Sequence, residues 1–150
     1  MKIAKRNTTA RAREKGSFER KHYNYGRWTK GLFSEAVTVN GPGKMIFLAG
    51  IGSEHEQTGK IMHPGDFDAQ CRYAFRKLKK VLAKNGARLS DVVKQVTYVT
   101  DARYVRQAGE QRRKAYGKSP LPAHTFVNVS QLVWPDMMVE IDVIAMVPAR

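Results

Sequence analysis

Apolar residues recur along this chain with two periods, and each period marks a different kind of element. From Phe67 to Leu82 the positions Phe67, Cys71, Ala74, Leu78, Val81 and Leu82 are spaced by threes and fours, which lines one side of an α-helix. Asp66 is placed to cap that helix and Asn85-Gly86 to stop it. Elsewhere the period is two. From Met137 to Val147, Val139, Ile141, Val143 and Ala145 share one face of a strand, while Met138, Glu140, Asp142, Ile144 and Met146 share the other. Ala123 to Val129 predicts the strand before it, and Trp134-Pro135-Asp136 supplies the turn chemistry between them. Val92 to Thr100 reads as a largely buried strand. Tyr104 to Gly117 reads as a second helix with a thin apolar stripe and Asp101 as its cap. Near the start, Leu32 to Val39 and Met45 to Gly50 form two strands, joined by Asn40-Gly41-Pro42-Gly43 with the composition of a hairpin turn.

The order strand, strand, helix, strand, helix, strand, strand predicts an α+β domain: one sheet with both helices on one face. The other face of that sheet carries Val, Ile and Met side chains, and covering them calls for an oligomer. At 150 residues the chain suits one globular domain, placed at residues 31–150 behind a basic arm at residues 1–30. No apolar run of about eighteen residues is present, and no signal peptide opens the chain, so the expected location is cytoplasmic, with no membrane partner. Cys71 stands alone and reads as a small buried hydrophobe, so no metal site is expected. His55 and His63 fall in a polar loop and read as solvent-facing. Gly50-Ile51-Gly52 is not followed by the Lys-Ser/Thr of a phosphate loop.

Charge changes the picture in one respect. The formal net charge is +14, and residues 1–22 hold eight lysines and arginines against Glu14 and Glu19. Such an arm suits nucleic-acid phosphates, and the basic face of the first helix adds to that reading. A solvated tail, or an arm packed on a neighbouring subunit, is the preferred alternative. Phe18, Tyr23, Tyr25 and Trp28 interleave with basic residues, a pattern of base stacking or of an extended segment pinned to a protein surface by its rings; the second is preferred.

The chemistry starts from Glu140, a carboxylate between Met138 and Ile144 that is costly to bury without a partner. The segments Phe33-Ser34-Glu35-Ala36-Val37, Phe47-Leu48-Ala49-Gly50, Asp91-Val92-Val93-Lys94, Tyr98-Val99-Thr100-Asp101, Leu121-Pro122-Ala123-His124-Thr125 and Val139-Glu140-Ile141-Asp142-Val143-Ile144-Ala145 follow in this order. Over about residues 31–147 the chain resembles the RidA family, the YjgF-like reactive intermediate deaminases once labelled L-PSP endoribonucleases. The resemblance implies a chorismate-mutase-like fold with one mixed sheet. It also implies a homotrimer with ligand clefts between subunits, and hydrolysis of small enamines or imines to a carbonyl compound and ammonia without metal or organic cofactor.

The same resemblance implies the site. Glu140 matches the carboxylate that orients the attacking water, and Gly50 the backbone that touches the ligand. His124 matches the arginine that holds the substrate carboxylate, while Phe33, Ala49 and Phe126 match a hydroxylated aromatic, a serine and a frequent cysteine. Arginine offers a permanent two-pronged donor; histidine is mostly neutral at pH 7 and offers one. A substrate without an acid next to the reacting carbon, or with its acid held by another basic side chain, follows from that change. In such a cleft the catalytic pair is Glu140, which orients water or accepts a proton, and His124, which acts as donor, weak anion contact or general acid-base and is helped toward its charged form if Glu140 lies close. By position alone, His124 is a hydrogen-bonded sheet residue and Glu140 a partnered structural carboxylate. Trp134 either roofs the cleft or seals a subunit contact. The expected partners are a small-molecule substrate and further copies of the chain. The rivals to a deaminase are a ligand-binding or protein-interaction trimer without chemistry, and a nucleic-acid binder acting through the arm.

Overall fold

A computed structural model describes residues 17–149, so most of the basic arm lies outside the described residues. The elements are β1 (Glu19–Tyr23), β2 (Ala36–Asn40), β3 (Gly43–Phe47), α1 (Phe67–Lys84), β4 (Val92–Val99), α2 (Val105–Tyr116), β5 (Ala123–Asn128) and β6 (Val139–Pro148). The main sheet has the order β3-β6-β4-β5. It is mixed, since β4 and β5 run parallel, linked through α2, while β6 is antiparallel to both β3 and β4. The expected α+β architecture is therefore present: two helices packed on a mixed sheet.

Helix α1 forms where its apolar period runs and begins where Asp66 accepts a hydrogen bond from Ala69 N at 2.9 Å. It ends at Gly86, whose φ of +78° suits glycine. Leu78, Leu82, Ala74 and Cys71 press on Val92, Val99, Val139, Ile141, Val143 and Ala145 of the sheet. Cys71 is buried as expected, and that burial pushes its thiol up to about 12. The stripe differs at its edge. Val81 is 37% exposed, whereas Tyr73 and Phe75 are buried instead.

The two N-terminal strands depart from the hairpin reading. Asn40-Gly41-Pro42-Gly43 does turn the chain, with Gly41 at φ +88°, but β2 and β3 do not pair with each other. β2 pairs with β1 in a separate two-stranded sheet, and β3 pairs with the edge of β6. The sequence reading had no strand at residues 19–23, so β2 was left with only β3 as a neighbour. Arg20 explains why β1 is ordered: its guanidinium donates to Ser90 O at 2.6 Å and Met146 O at 2.7 Å, and pairs with Asp91 at 3.1 Å. One cation of the basic stretch thus ties β1 to the main sheet. The rings of Tyr23 and Tyr25 are exposed among the described residues rather than pinned to the surface of the domain.

Faces of the main sheet alternate as strand geometry requires. The face away from the helices carries Met45, Phe47, Ile144, Met146, Val96 and Tyr98, with Met45 51% and Phe47 69% exposed. No helix among the described residues is long and apolar enough to cross a membrane.

One buried side chain joins the first helix to the entry of β6. Gln70 donates to His63 O at 3.2 Å and Asp136 O at 2.7 Å, and its carbonyl accepts from Met138 N at 2.9 Å. Leucine fills nearly the same volume but leaves three backbone groups without a partner. Gln70→Leu is expected to lower unfolding stability by about 3 kcal/mol, read from the urea midpoint at unchanged slope. A loss below about 1 kcal/mol would show that these groups find other partners.

Two candidate half-sites on opposite faces of the sheet

His124 and Glu140 do not meet within the chain. β5 pairs with β4 so that His124 lies opposite Gln95 and Phe126 opposite Thr97. Gln95 and Thr97 are buried on the helix side, so His124 and Phe126 also turn that way. Glu140 lies opposite Tyr98, on the uncovered face. The candidate residues therefore form two groups, separated by the sheet itself.

The first group surrounds a cavity of about 310 Å³ between β5, α2 and the segment before β2. Trp28, Phe33 and Phe126 supply apolar walls, Thr97 and His124 the floor, and Arg112 a buried cation from α2. Phe33 is held there from both sides: its ring meets Trp28 edge-on at 5.8 Å between centroids, and its carbonyl accepts from Asn24 Nδ2 at 2.7 Å. The following residue is fixed as well, since Ser34 N donates to Pro122 O at 3.0 Å and its hydroxyl to Leu121 O at 2.7 Å. Phe33 and His124 thus come together through a direct contact of their two segments.

A chain of hydrogen bonds runs under the cavity. Tyr116 OH donates to Gln95 Oε1 at 2.9 Å, Gln95 Nε2 donates to Thr97 Oγ1 at 2.9 Å, and Thr97 Oγ1 lies 2.9 Å from His124 Nε2. With the Thr97 hydroxyl accepting from Gln95 and giving its own proton to the ring, His124 Nε2 is the acceptor and the ring proton sits on Nδ1; in the other tautomer Nε2 donates to Thr97, whose second lone pair is open. Burial pushes His124 down to about 3, with the charges of Arg112 and Lys94 adding to the effect. Within one chain Glu140 does not draw the ring toward its charged form, because it lies across the sheet and the charges near His124 are those of Arg112 and Lys94. Gln95, Thr97 and Arg112 were missed from the sequence. Their signal was faint: polar residues in a valine-rich strand and one arginine among several on a helix.

The second group is built on an irregularity. Phe47 pairs with Ile144, but Ile51 pairs with Ile141, so one extra residue is accommodated on the first strand. The backbone bulges at Ala49-Gly50, both exposed, against Glu140. A Cβ at Gly50 would fall 1.6 Å from Glu140 Oε1, so any other residue there would push the carboxylate out of this position. Burial raises the Glu140 pKa, and the neighbouring Glu54 and Asp142 raise it further. Glu54 is itself held by Lys77 at 2.9 Å and by Gly52 N at 3.1 Å. Trp134 belongs to neither group: it is 53% exposed in the β5–β6 loop and does not line the His124 cavity.

Residues 28–147 match the family described as Endoribonuclease L-PSP. The chain belongs to that family, the RidA or YjgF-like proteins. It is 34% identical over 115 residues to a RutC family protein of Pyrococcus abyssi, covering 77% of this chain and 86% of the relative. A Dermatophagoides farinae protein named 2-iminobutanoate/2-iminopropanoate deaminase is 28% identical, over 68% of this chain and 76% of that one. Among solved structures, a Yersinia pestis protein of the conserved Rid family superposes with a TM-score of 0.76 at 28% identity, covering 85% of this chain and 98% of that one. As a RidA-family protein it carries Phe33, His124 and Phe126 on the helix side of its sheet, with Ala49, Gly50 and Glu140 on the bulge and the opposite face.

The neutral ring has a pH signature. Its pKa in the folded chain, about 3, lies below the ordinary 6.5, so the unfolded chain binds the proton first on acidification. The stability that depends on neutral His124 is complete above about pH 6.5 and is lost as pH falls toward about 3. Imidazole nitrogen spectra are expected to show His124 as the Nδ1–H tautomer, without titration, from about pH 8 down to about 5. A midpoint near 6.5 would place the ring in solvent.

Proposed function

We propose that this protein is a hydrolytic deaminase of small enamines or imines. Its working site is a cleft between subunits of a homotrimer, where the bulge and Glu140 of one copy face the His124 cavity of the next. The observation that carries this reading is the carboxylate of Glu140 lying over Gly50, in the space a side chain there would fill, with burial and two other carboxylates weakening its acidity. A carboxylate so placed is a better base than one in water. The mite relative's name, an imine deaminase, supports the reaction class, and the exposed Met45 and Phe47 support an assembly that covers the open face.

The chemistry follows simply. Glu140 orients a water and takes its proton as the oxygen bonds to the imine carbon, and passes that proton to the nitrogen as the double bond becomes single. As the carbinolamine collapses, its hydroxyl proton moves to the nitrogen by the same carboxylate, the C=O bond forms, the C–N bond breaks and ammonia leaves. His124 contributes a neutral Nδ1–H donor, which holds a polar atom of the substrate without adding charge. The apolar walls exclude bulk water from the reacting carbon. Because His124 is neutral and its Nε2 is engaged by Thr97, binding of a ligand without turnover is the second reading.

The test is ammonia release from freshly generated imines, with and without an acid group, by the native protein and Glu140→Gln. Turnover is expected to fall by about 10²- to 10⁴-fold in the variant while binding of the carbonyl product persists. Equal rates in protein and buffer across the series would leave the binding reading. Sedimentation is expected to give a trimer; a monomer would keep the two half-sites apart and remove the cleft.

A further inference from the structure

Glu140 has a second carboxylate beside it, and the fold holds that one in place. Ile51 and Ile141 exchange both backbone hydrogen bonds, at 2.9 Å each. Ile51 turns its side chain into the core, so its neighbours Gly50 and Gly52 face the open side, as Glu140 does. Each glycine leaves a hollow beside which a carboxylate lies. Glu140 Oε1 is 1.6 Å from where a Cβ at Gly50 would be, and Glu54 Oε2 is 3.2 Å from where a Cβ at Gly52 would be. The two hollows are two residues of extended chain apart, about 6.5 Å.

Glu54 is fixed from two directions. Lys77 of α1 donates to Glu54 Oε2 at 2.9 Å and to Glu54 O at 2.7 Å, and Gly52 N donates to the same Oε2 at 3.1 Å. This ion pair is largely shielded, with side-chain exposures of 15% and 22%, whereas Lys80 and Glu56, the next pair along the helix and loop, are 58% and 32% exposed. Water and salt therefore screen the charge of Glu54 less than that of Glu56.

The groups that face Glu140 are few. Tyr98 lies opposite it on β4, Asp142 follows two residues along β6, and Glu54 comes from the loop after β3. Lys94, the one cation of β4, is four residues from Tyr98 and donates to Thr125 at 2.7 Å. Among the described residues Glu140 is in no ion pair. Burial raises its pKa most, Glu54 next and Asp142 least. Two carboxylates this close repel each other when both are charged, and a proton taken up by Glu140 relieves the repulsion.

We propose that Glu54, anchored by Lys77, is a positioning residue for Glu140: its fixed negative charge makes Glu140 the stronger base that draws a proton from water. This rests on Glu140 being the base of the deaminase reading, and it adds to that reading a part of the loop after β3 and of α1 that touches no substrate.

Side-chain carboxyl ¹³C spectra of the full chain follow the titration of Glu140 from about pH 3 to about pH 8. Glu54→Gln keeps the shape and an acceptor for Gly52 N but removes the charge, and the Glu140 midpoint is expected to fall by roughly half a pH unit or more. Glu56→Gln removes a like charge from the same loop and should leave the midpoint within about 0.2 pH unit of the native one. A purely structural Glu54 would cost stability without moving the midpoint. If Glu54→Gln alone fails to fold because Lys77 has lost its counter-charge, the double variant with Lys77→Met decides by the same midpoint.

The proposal is overturned if the midpoint stays or rises when Glu54 loses its charge, or if Glu56→Gln moves it equally. Where imines are turned over, the acid limb of the rate profile should move down with the midpoint in Glu54→Gln. A midpoint that falls without ammonia release from any imine would keep the coupled carboxylates and reject the deaminase. Turnover that needs Glu140, with an acid limb unmoved in Glu54→Gln, would keep the deaminase and reject the role of Glu54.

Discussion

Burying one face of the central strands fixes most of what this molecule can do. Val139, Ile141, Val143 and Ala145 must lie under α1, because no other set of positions on β6 is apolar enough to be dry. Strand alternation then sends Glu140 to the opposite face, and pairing carries the same parity to β4 and β5. His124 is on the helix side for the same reason that Val143 is. A one-residue slip of register would expose the core and exchange the two half-sites, so the position of the chemistry and the stability of the sheet are one constraint.

The helix side of the sheet is not uniformly apolar. Gln95, Thr97 and Tyr116 bring polar groups into the core, and each finds its partner in the next, ending at the His124 ring. Such a chain is favourable only when every member is satisfied. Arg112 sits above it with the opposite character: one nitrogen used, two idle. The cavity therefore combines a neutral histidine, a buried cation and aromatic walls.

The fold was legible because its signals are periodic. α1, β4 and β6 stand where spacings of three and four or of two placed them, and Asp66 caps where a short carboxylate before an apolar run should. The order of short motifs also led to the RidA family. What could not be read depends on partners distant in sequence. Arg20 looks like one more cation of a basic stretch until Ser90, Asp91 and Met146 surround it. Asn40-Gly41-Pro42-Gly43 is good turn chemistry, yet a turn does not dictate that its flanking strands pair, and β1 competed successfully for β2. Arg112 resembles its neighbours Arg106 and Arg113 by type, and only burial distinguishes it. Nothing in the sequence placed His124 and Glu140 on opposite faces until the parallel register of β5 was known.

That separation bears on the proposed chemistry. A buried cation and a carboxylate of weakened acidity would neutralise each other if they shared a pocket in the folded chain, and the carboxylate would lose its use as a base. The sheet keeps them apart, with Arg112 on α2 and Glu140 against the Gly50 bulge. In the proposed assembly the two half-sites are brought together only between copies, with substrate interposed. Each half-site alone then binds weakly or holds a water without consequence. Chemistry begins only where a single small molecule completes both.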